Sequence, residues 1–316
     1  MEPGTCPLEE RRRLETLRPR LEARARILAA VRGWFAGRGF LEVETPVRIA
    51  APAPERHIDA VPSGGRFLVT SPELQMKRLL AAGYERVFQI CRCFRGAERG
   101  PSHLPEFTML EWYRAGGGID DLMRDCEELL TSAARAAGWG FPPAGPAGKR
   151  VDLVPPWQRV DVVEAFERHA GWRPGSRPDP ARFDVDLVDK VEPALPADRP
   201  VFLVGYPASL ASLARIDPAR PDRALRFELY AGGLELANGF DELTDPAEQR
   251  RRFEEDEAWR RAAGKPPYPA DGRFLAALDG GMPASAGIAL GFDRLVMLLT
   301  AAATIDDVVA FPEETA

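Results

Sequence analysis

Charged side chains at two places in this chain have the types and spacing to bind phosphate and magnesium. Arg95 ends the run VFQICRCFR, and its planar guanidinium matches a phosphate or carboxylate; its ordinary alternative is an exposed arginine at a strand end. Glu235 and Glu242 lie seven residues apart in LELANGFDEL. We expect a turn at Asn238 and Gly239 to bring them together, so that they hold Mg²⁺ against phosphate oxygens. The alternative is a solvated hairpin edge.

A third place is the segment GIALGFDR, residues 287–294. Gly291 lets a ligand approach the backbone closely. Arg294 falls in the first turn of the predicted helix, where the helix dipole disfavours a cation, so we expect an anionic ligand beside it. A surface arginine remains the alternative. The sequence has no Walker A loop and no Rossmann fingerprint, so spacing alone does not identify the ligand.

The composition excludes several classes of protein. The 316 residues are 45% hydrophobic and 28% charged, which is ordinary for a globular chain. No run approaches the ~20 apolar residues of a membrane helix, and no apolar stretch follows the N-terminal basic residues, so we expect neither a membrane span nor a signal peptide. The net charge of −6 argues against a dedicated nucleic-acid binder.

The cysteines argue against a zinc site. Cys6, Cys91, Cys93 and Cys126 include no CxxC pair, and the chain has three histidines. Cys91 and Cys93 alternate onto one face of a predicted strand, where core thiols are expected. This cysteine usage suits a reducing cytoplasm.

Patterning predicts the elements that position these residues. An apolar helical period begins at Leu21 and ends at Gly37 and Gly39, and a strand is expected over 40–47. Residues 50–65 are expected to form a loop and 67–70 a short strand. Ser71 is expected to cap a helix that Gly83 ends.

The runs 87–95 and 106–114 predict an antiparallel hairpin with a long polar loop. The segments 138–150 and 171–200 are interpreted as Pro- and Gly-rich connections. The order lacks βαβ alternation, so we predict an α+β fold with a mainly antiparallel sheet flanked by helices. Further helices are expected at 119–137, near 161–170, at 250–263 (highly charged and exposed) and at 293–299. Ordered segments are expected at 201–205 and 225–239, and a further strand at 287–291.

Together these segments resemble the three signature motifs of class II aminoacyl-tRNA synthetases. The first helix and FLEVETP, ending at Pro46, resemble motif 1. VFQICRCFR, its loop and EFTMLEWYR resemble motif 2, and GIALGFDRLVML resembles motif 3. SPELQMKRLL, ELANGFDEL and TIDDVVAFP resemble the lysine-specific branch. The resemblance covers residues 21–312 and implies an ATP- and Mg²⁺-dependent enzyme that dimerises through motif 1.

Within that branch the chain resembles the short paralogues that aminoacylate elongation factor P. About 20 residues precede motif 1, too few for the OB-fold anticodon-binding domain of a full lysyl-tRNA synthetase. We therefore expect an N-terminal extension, 1–20, and a catalytic domain, 21–316. Like the paralogues, the chain has Ser71, Ala237 and Ala289, where lysyl-tRNA synthetases tend to have other residues.

The resemblance implies a role for each site residue. Arg95 and Arg294 would be catalytic, holding the α- and γ-phosphates of a bent ATP, while Glu235 and Glu242 would hold Mg²⁺. Nucleotide contacts would come from Arg95, Glu98, His103, Glu235, Leu236, Gly291 and Arg294. The amino acid would contact Ser71, Glu73, Glu111, Tyr113, Asn238, Glu242 and Ala289.

Motif 2 departs from the family pattern at three positions. Gly96 and Ala97 stand where Asn and Glu are usual, and Leu104 stands where Asn precedes Pro-Glu-Phe. The missing Glu normally contacts adenine, so we expect the neighbouring Glu98 to replace it.

The resemblance thus predicts a cytoplasmic ligase that activates a lysine-like amino acid, (R)-β-lysine, and transfers it to a lysine of elongation factor P. We expect no stable tRNA binding. One alternative is a truncated synthetase acting on tRNA or another acceptor. Another is an inactive regulatory paralogue, against which the presence of Arg95, Glu235, Glu242 and Arg294 argues.

Overall fold

The structure is a computed structural model that describes residues 7–138 and 150–315, together with Pro143, Gly145 and Gly148. Cys6 and most of the expected connection at 138–150 lie outside the described residues. No described helix has both the length and the apolar composition needed to cross a membrane.

The central element is a mixed, mainly antiparallel sheet of eight strands, which confirms the predicted α+β class. The strands of the structure are β1 (Leu41–Glu42), β2 (Arg48–Ile49), β3 (Pro62–Ser63), β4 (Arg66–Leu68), β5 (Arg86–Phe94), β6 (Glu106–Ala115), β7 (Gln158–Asp161), β8 (Val201–Val204), β9 (Ile216–Asp217), β10 (Arg220–Ala224), β11 (Arg226–Ala231), β12 (Leu234–Asp241) and β13 (Ser285–Gly291). The large sheet has the order β1-β5-β6-β13-β12-β11-β8-β7, and its first and last pairs are parallel.

Eight α-helices flank the sheet in the described part of the chain. They are α1 (Pro7–Ala36), α2 (Glu73–Ala81), α3 (Ile119–Ala137), α4 (Val162–His169), α5 (Pro180–Asp186), α6 (Pro246–Ala262), α7 (Gly272–Asp279) and α8 (Phe292–Leu299). The largest apolar cluster lies where α1, α3 and α8 pack on the central strands, and Trp112 of β6 is fully buried in it. This layer leaves the other sheet face available to a ligand.

The predicted hairpin 87–95/106–114 is confirmed as β5 and β6. Its register pairs Gln89 with Glu111 and Cys91 with Met109. Cys91 and Cys93 lie on one face of β5, with their sulfur atoms 3.8 Å apart, and Cys93 is buried. Both thiols are free; Cys93 is a core thiol as predicted, whereas Cys91 is only partly buried against the same cluster.

Helix α1 begins earlier than the apolar pattern predicts. It runs from Pro7 through residue 20 without a break, although residues 1–20 showed only weak patterning. Arg13 supplies a reason, since its guanidinium donates to the carbonyl oxygens of Ala310, at 2.5 Å, and Val309, at 3.2 Å. This contact with the distant C-terminal segment was not visible in local sequence. The division into 1–20 and 21–316 stays a prediction.

The predicted strand over 40–47 is largely wrong. Only Leu41 and Glu42 pair with β5, and Phe40 instead packs its ring edge-on to Phe35 at 5.1 Å. The later residues of this segment leave the sheet. The expected loop at 50–65 is confirmed except for the two residues of β3.

The predicted turn at Asn238 and Gly239 is also wrong. Both residues lie within β12, and the hairpin turns at Gly232 and Gly233, whose φ angles of 63° and 79° are left-handed. Gly239 is needed for packing instead, because a Cβ there would lie 2.5 Å from the Phe227 ring.

Two helices fall in segments where none was predicted. The expected connection at 171–200 contains α5, and the chain between the charged helix and β13 contains α7. The charged helix is α6, and it is less exposed than expected because Arg260 is completely buried.

Candidate active site

A cavity of about 1120 Å³ lies on the open face of the central strands. All fourteen predicted site residues line it, including those contributed by β6, β12, β13 and the start of α8. We call the part around Ser71, Glu73, Glu111, Tyr113 and Glu242 the carboxylate end. The part around Arg95, Glu98, His103, Glu235 and Arg294 is the arginine end.

Hydrogen bonds fix the side chains at the carboxylate end. The Ser71 hydroxyl donates to Glu111 Oε1, and the Tyr113 hydroxyl donates to Glu111 Oε2 at 3.0 Å. The backbone N–H of Glu73 donates to Ser71 Oγ at 3.1 Å. Ser71 therefore bonds the first residue of α2, but the N-cap position itself is Pro72 and not Ser71 as predicted. One carboxylate therefore organises the floor of the cavity.

Lys77 is a buried cation that the sequence interpretation missed. Its Nζ lies 2.5 Å from Glu73 Oε1 and 2.5 Å from Glu242 Oε2, and both Lys77 and Glu242 have side chains only 1% exposed. Burial alone would lower the pKa of Lys77, but the two carboxylates raise it above its ordinary value. Glu73 and Lys77 are four residues apart on α2, a spacing that indicates an ion pair.

Gly287 allows Tyr113 and Glu242 to meet across β13. A Cβ at this position would lie 2.2 Å from Tyr113 Cε1 and 2.3 Å from Glu242 Oε1. Both distances are far below any tolerated contact, so only glycine fits between the two side chains. Gly287 was predicted as part of a strand but not as a determinant of the pocket.

Burial makes the carboxylates of this end costly to ionise, because too little positive charge lies beside them. It raises the pKa of Glu242 to about 8, despite the opposing effect of Lys77, and it raises the pKa of Glu111 well above its usual range. Glu73 adds to both shifts. A ligand that brings ammonium groups would stabilise the ionised carboxylates, because a paired charge is tolerated in a buried site.

Arg95 lies at the arginine end, just beyond β5. Its guanidinium is 26% exposed, is 5.2 Å from the centre of the Phe107 ring and approaches Glu98 Oε2 at 3.7 Å. Its buried Nε has no hydrogen-bond partner among the described residues. A buried donor without a partner is costly, so an anionic ligand would satisfy it.

Arg294 ties the loop between β5 and β6 to the sheet. It donates to the carbonyl oxygens of Glu235, at 2.8 Å, and Ser102, at 3.1 Å. Its Nη2 lies 2.5 Å from His103 Nε2. Because arginine only donates, this histidine nitrogen must accept, which requires the neutral ring. Burial and then the charge of Arg294 lower the pKa of His103, consistent with that state.

Comparison with known proteins assigns the chain that forms this cavity to a family. The model of class II tRNA synthetases (D, K and N) matches residues 10–315. This chain is a member of the class II tRNA synthetase family. The resemblance drawn from motifs 1 to 3 is thereby confirmed.

Curated relatives are similar over nearly the whole length of this class II chain. One is the elongation factor P--(R)-beta-lysine ligase of Klebsiella pneumoniae (strain 342), 40% identical over 94% of this chain and 96% of the relative. Ligases with the same name from Erwinia tasmaniensis and Edwardsiella ictaluri are also 40% identical, over 91% and 93% of this chain and 93% and 94% of theirs. The match to the paralogue branch is therefore confirmed.

A metal ion shared by Glu235 and Glu242 does not fit this class II site. Seven residues of extended strand separate their Cα atoms by roughly 20 Å, whereas two ligands of one Mg²⁺ each lie about 2.1 Å from the ion. Glu242 is instead paired with Lys77. The turn expected to join the two glutamates is absent, which is the reason for this error.

A residue on the neighbouring strand is better placed than Glu242 to bind a metal ion together with Glu235. Burial and then the charge of Glu228, on β11, raise the pKa of Glu235, so the two carboxylates lie within electrostatic range of each other. Glu228 accepts hydrogen bonds from Tyr230 and from Tyr206, the former at 2.7 Å. Glu228 precedes Glu235 by seven residues in the segment 225–239, which was predicted as one ordered segment, so the sequence did not indicate that the two residues lie on neighbouring strands.

The motif 2 departures have partly structural explanations. Leu104 is 4% exposed and belongs to the main apolar cluster, so a buried leucine replaces the polar residue usual in the family. Ala97 adopts a left-handed backbone with φ of 63°, which is uncommon outside glycine. Glu98 lines the cavity beside Arg95, and its contact with adenine stays a prediction.

The remaining predicted residues line the cavity from the central strands. Ala289 lies in register between Asn238 of β12 and Glu111 of β6. The side-chain oxygen Oδ1 of Asn238 accepts a hydrogen bond from Arg226 Nε at 3.3 Å. Leu236 and Gly291 line the cavity near the arginine end, where Gly291 directly precedes α8.

Proposed function

We propose that this protein uses ATP to activate a β-lysine-like amino acid as an adenylate and transfers it to a lysine side chain of elongation factor P. The observation that carries the proposal is the division of one cavity into a carboxylate end and an arginine end. A diamino acid has two ammonium groups for the first end, and ATP has phosphates for the second. The names of the curated relatives support the same substrate and acceptor.

The carboxylate end is proposed to recognise the amino acid. Glu111 and Glu242 would pair with its ammonium groups, with Ser71 and Tyr113 fixing the orientation of Glu111. Glu73 and Asn238 complete the lining. Because these side chains hold one another in place before the ligand binds, they lose little conformational entropy on binding.

The arginine end is proposed to align ATP for adenylation. The amino acid carboxylate attacks the α-phosphorus, a P–O bond forms, and the bond to pyrophosphate breaks. Arg95 would stabilise the charge on the α-phosphate, and Arg294 would hold the γ-phosphate with His103. The step needs little acid–base chemistry, so alignment and fixed positive charge provide most of the acceleration. Glu98, Leu236 and Gly291 would contact the nucleotide.

Mg²⁺ is proposed to bind at Glu235, with Glu228 as the second carboxylate. No group of three or more His, Cys, Asp or Glu residues suited to a metal occurs in the described part of the chain. This fits Mg²⁺, which commonly takes one or two carboxylates and completes its shell with phosphate oxygens and water. When bound, the ion would neutralise phosphate charge as pyrophosphate leaves.

The acceptor and the assembly are proposed on separate grounds. Net charge of −6 disfavours stable tRNA binding, so a protein acceptor is favoured over the truncated-synthetase alternative. Dimerisation through motif 1 and a cytoplasmic location are carried over from the family resemblance, and the three described free cysteines are compatible with reducing conditions.

Mass spectrometry of the acceptor tests this function directly. Folded elongation factor P, incubated with the protein, ATP, Mg²⁺ and β-lysine, should gain the mass of one amino acyl group on one lysine. Omitting ATP should abolish the gain. Efficient aminoacylation of tRNA at physiological salt, with elongation factor P unmodified, would establish the alternative.

A further inference from the structure

Glu55 is a cavity residue that neither adenylation nor amino-acid recognition uses. It lies in the loop between β2 and β3 and lines the cavity. Its backbone carbonyl accepts from Arg260 Nη1 at 2.8 Å, and the same nitrogen donates to the carbonyl of Ile58 at 3.0 Å. Because Arg260 is completely buried in α6, this loop is anchored and the position of Glu55 is set by the fold.

The same loop is joined to the arginine end. Gly96, the residue after Arg95, donates its N–H to the carbonyl of Asp59 at 2.7 Å. Arg260 Nη2 also bonds the Asp59 carboxylate at 3.0 Å. Glu55 and Arg95 are therefore positioned by one connected set of contacts, and their charges interact.

The environment of Glu55 suits proton transfer near neutral pH. Burial raises the pKa of Glu55 to about 7. Arg95 opposes that shift and Glu73 of α2 adds to it. Asp256 of α6 also raises the pKa, and Arg226 of β11 lowers it.

The Glu55 carboxylate differs from its acidic neighbours in being free. It makes no hydrogen bond or ion pair with another residue in the part of the chain that the structure describes. Glu73 is bound to Lys77, and Asp256 is bound to Arg56 at 2.6 Å. Of these three carboxylates in the cavity lining, Glu55 is the one that is not already bound to a cationic side chain of the described chain.

Transfer to a lysine requires a base. An ordinary lysine has a pKa of about 10.4 and is almost entirely an ammonium at neutral pH, which is not a nucleophile. Adenylation involves no such proton removal. An efficient general base has a pKa near the working pH and lies within hydrogen-bond reach of the proton that it takes.

We propose that Glu55 is the general base of the transfer step and deprotonates the acceptor lysine beside Arg95. This rests on the proposed function. The ε-ammonium gives one proton to the Glu55 carboxylate, and the neutral nitrogen attacks the acyl carbon of the adenylate. A C–N bond forms, the acyl C–O bond breaks, and AMP leaves as the phosphate anion. The amide nitrogen loses its extra proton to solvent, and Glu55 then releases its own.

Separate assays of the two half-reactions test the role of Glu55. Pyrophosphate exchange with β-lysine reports adenylation, and single-turnover transfer to elongation factor P reports the second step. Glu55→Gln should lower transfer at pH 7 about 100-fold more than it lowers exchange, the scale of general-base catalysis. Glu254→Gln, an exposed change on α6 outside the cavity, should leave both rates unchanged.

The pH profile and a second nucleophile separate a base from a structural role. Native transfer should rise with pH and level off near pH 7, whereas the Glu55→Gln rate should keep rising towards the pKa of free lysine. Hydroxylamine, which is largely unprotonated at neutral pH, should react with the bound adenylate equally fast in both proteins.

Three results would decide against the role of Glu55: native-like transfer in Glu55→Gln, an equal loss of exchange and transfer, or an equal loss with hydroxylamine. Absence of β-lysine-dependent exchange in the native protein would instead overturn the proposed function itself.

Discussion

At the carboxylate end of the cavity Glu111 accepts hydrogen bonds from Ser71 and Tyr113, and Glu242 is paired with Lys77. At the arginine end the buried Nε of Arg95 has no partner within the described chain. The side chains of the first region are thus held by one another before a ligand arrives, although its buried carboxylates still lack balancing positive charge. The second region keeps a buried donor that an anionic ligand would satisfy. The carboxylate end, which is buried and held in place, selects the amino acid by its shape and by the positions of its charges. The arginine end stabilises the nucleotide only when the phosphates are bound.

The largest effect is expected at the arginine end. Arg95→Ala or Arg294→Ala should reduce amino-acid-dependent pyrophosphate exchange by about 100- to 1000-fold, the scale for losing one preorganised charge stabiliser. The loss should be the same for every amino acid tested, because these groups contact phosphate. Arg48→Ala, outside the cavity on β2, is the control. Near-native exchange in both active-site variants would refute their roles.

A smaller but more selective effect is expected from Gly287→Ala at the carboxylate end. The added methyl would displace Tyr113 and Glu242, which it would approach within 2.3 Å. Overpacking of this kind costs about 1–3 kcal/mol, and we expect a rise in the KM for the amino acid of at least about 10-fold. ATP binding, measured by calorimetry without amino acid, should persist. Loss of ATP binding together with amino-acid activation would show that the two ends are not separable.

Selection between lysine isomers provides a finer comparison within the carboxylate end. Lysine-branch synthetases carry Gly where this chain has Ala289, and the methyl should crowd an α-amino group while leaving a β-amino group free. A difference of this size is worth about 1–3 kcal/mol, or 10- to 200-fold. Ala289→Gly should therefore erode a preference for β-lysine, chiefly by improving the use of α-lysine.

Exchange rates for both isomers, in native and variant protein, measure the change. The same isomer ratio in both proteins would mean that Ala289 only packs within β13.

The smallest effect concerns stability against pH. Burial raises the pKa of Glu55 to about 7 and of Glu242 to about 8 in the folded protein, above the ordinary value of about 4.3. The folded state thus binds more protons than the unfolded state up to these values, and its stability falls as pH rises through them. The Tm of ligand-free protein should drop by about 2–4 °C between pH 7 and pH 8.5.

β-Lysine should reduce this fall in Tm, because its ammonium groups pair with the ionised carboxylates. Scanning calorimetry at the two pH values tests it. A ligand-free Tm that rises over this interval would contradict the assigned burial.

Much of the site was predictable because short motifs carried it. The strands that hold Glu111 and Ala289 and the helix that begins beside Arg294 were placed correctly from alternation and from glycine positions. The errors came where local pattern had no access to a distant partner. No local pattern in residues 1–20 predicted that Arg13 would donate to the carbonyl oxygens of the C-terminal segment.

The metal assignment failed for a related reason. Asn238 and Gly239 have turn-forming propensity, but a turn there would have removed the pairing of β12 with β11 and β13. The hydrogen bonds between β12 and its two neighbouring strands, together with the packing of Gly239 against Phe227, outweigh the local preference for a turn. Once that segment is extended, Glu235 lies opposite Tyr230, within electrostatic range of Glu228, and is remote from Glu242.

The sequence by itself determined the class II family and fourteen of the residues that line the cavity, because these follow from contiguous motifs and strand periodicity. Only the tertiary structure decided which charges act on one another: Lys77 contacts Glu242, and the charges of Glu228 and Arg95 act on Glu235 and Glu55, respectively. Such pairings depend on sheet order and on contacts between distant segments, such as the loop of Glu55 with α6. Burial, which sets the pKa of each carboxylate, is likewise a property of the folded chain.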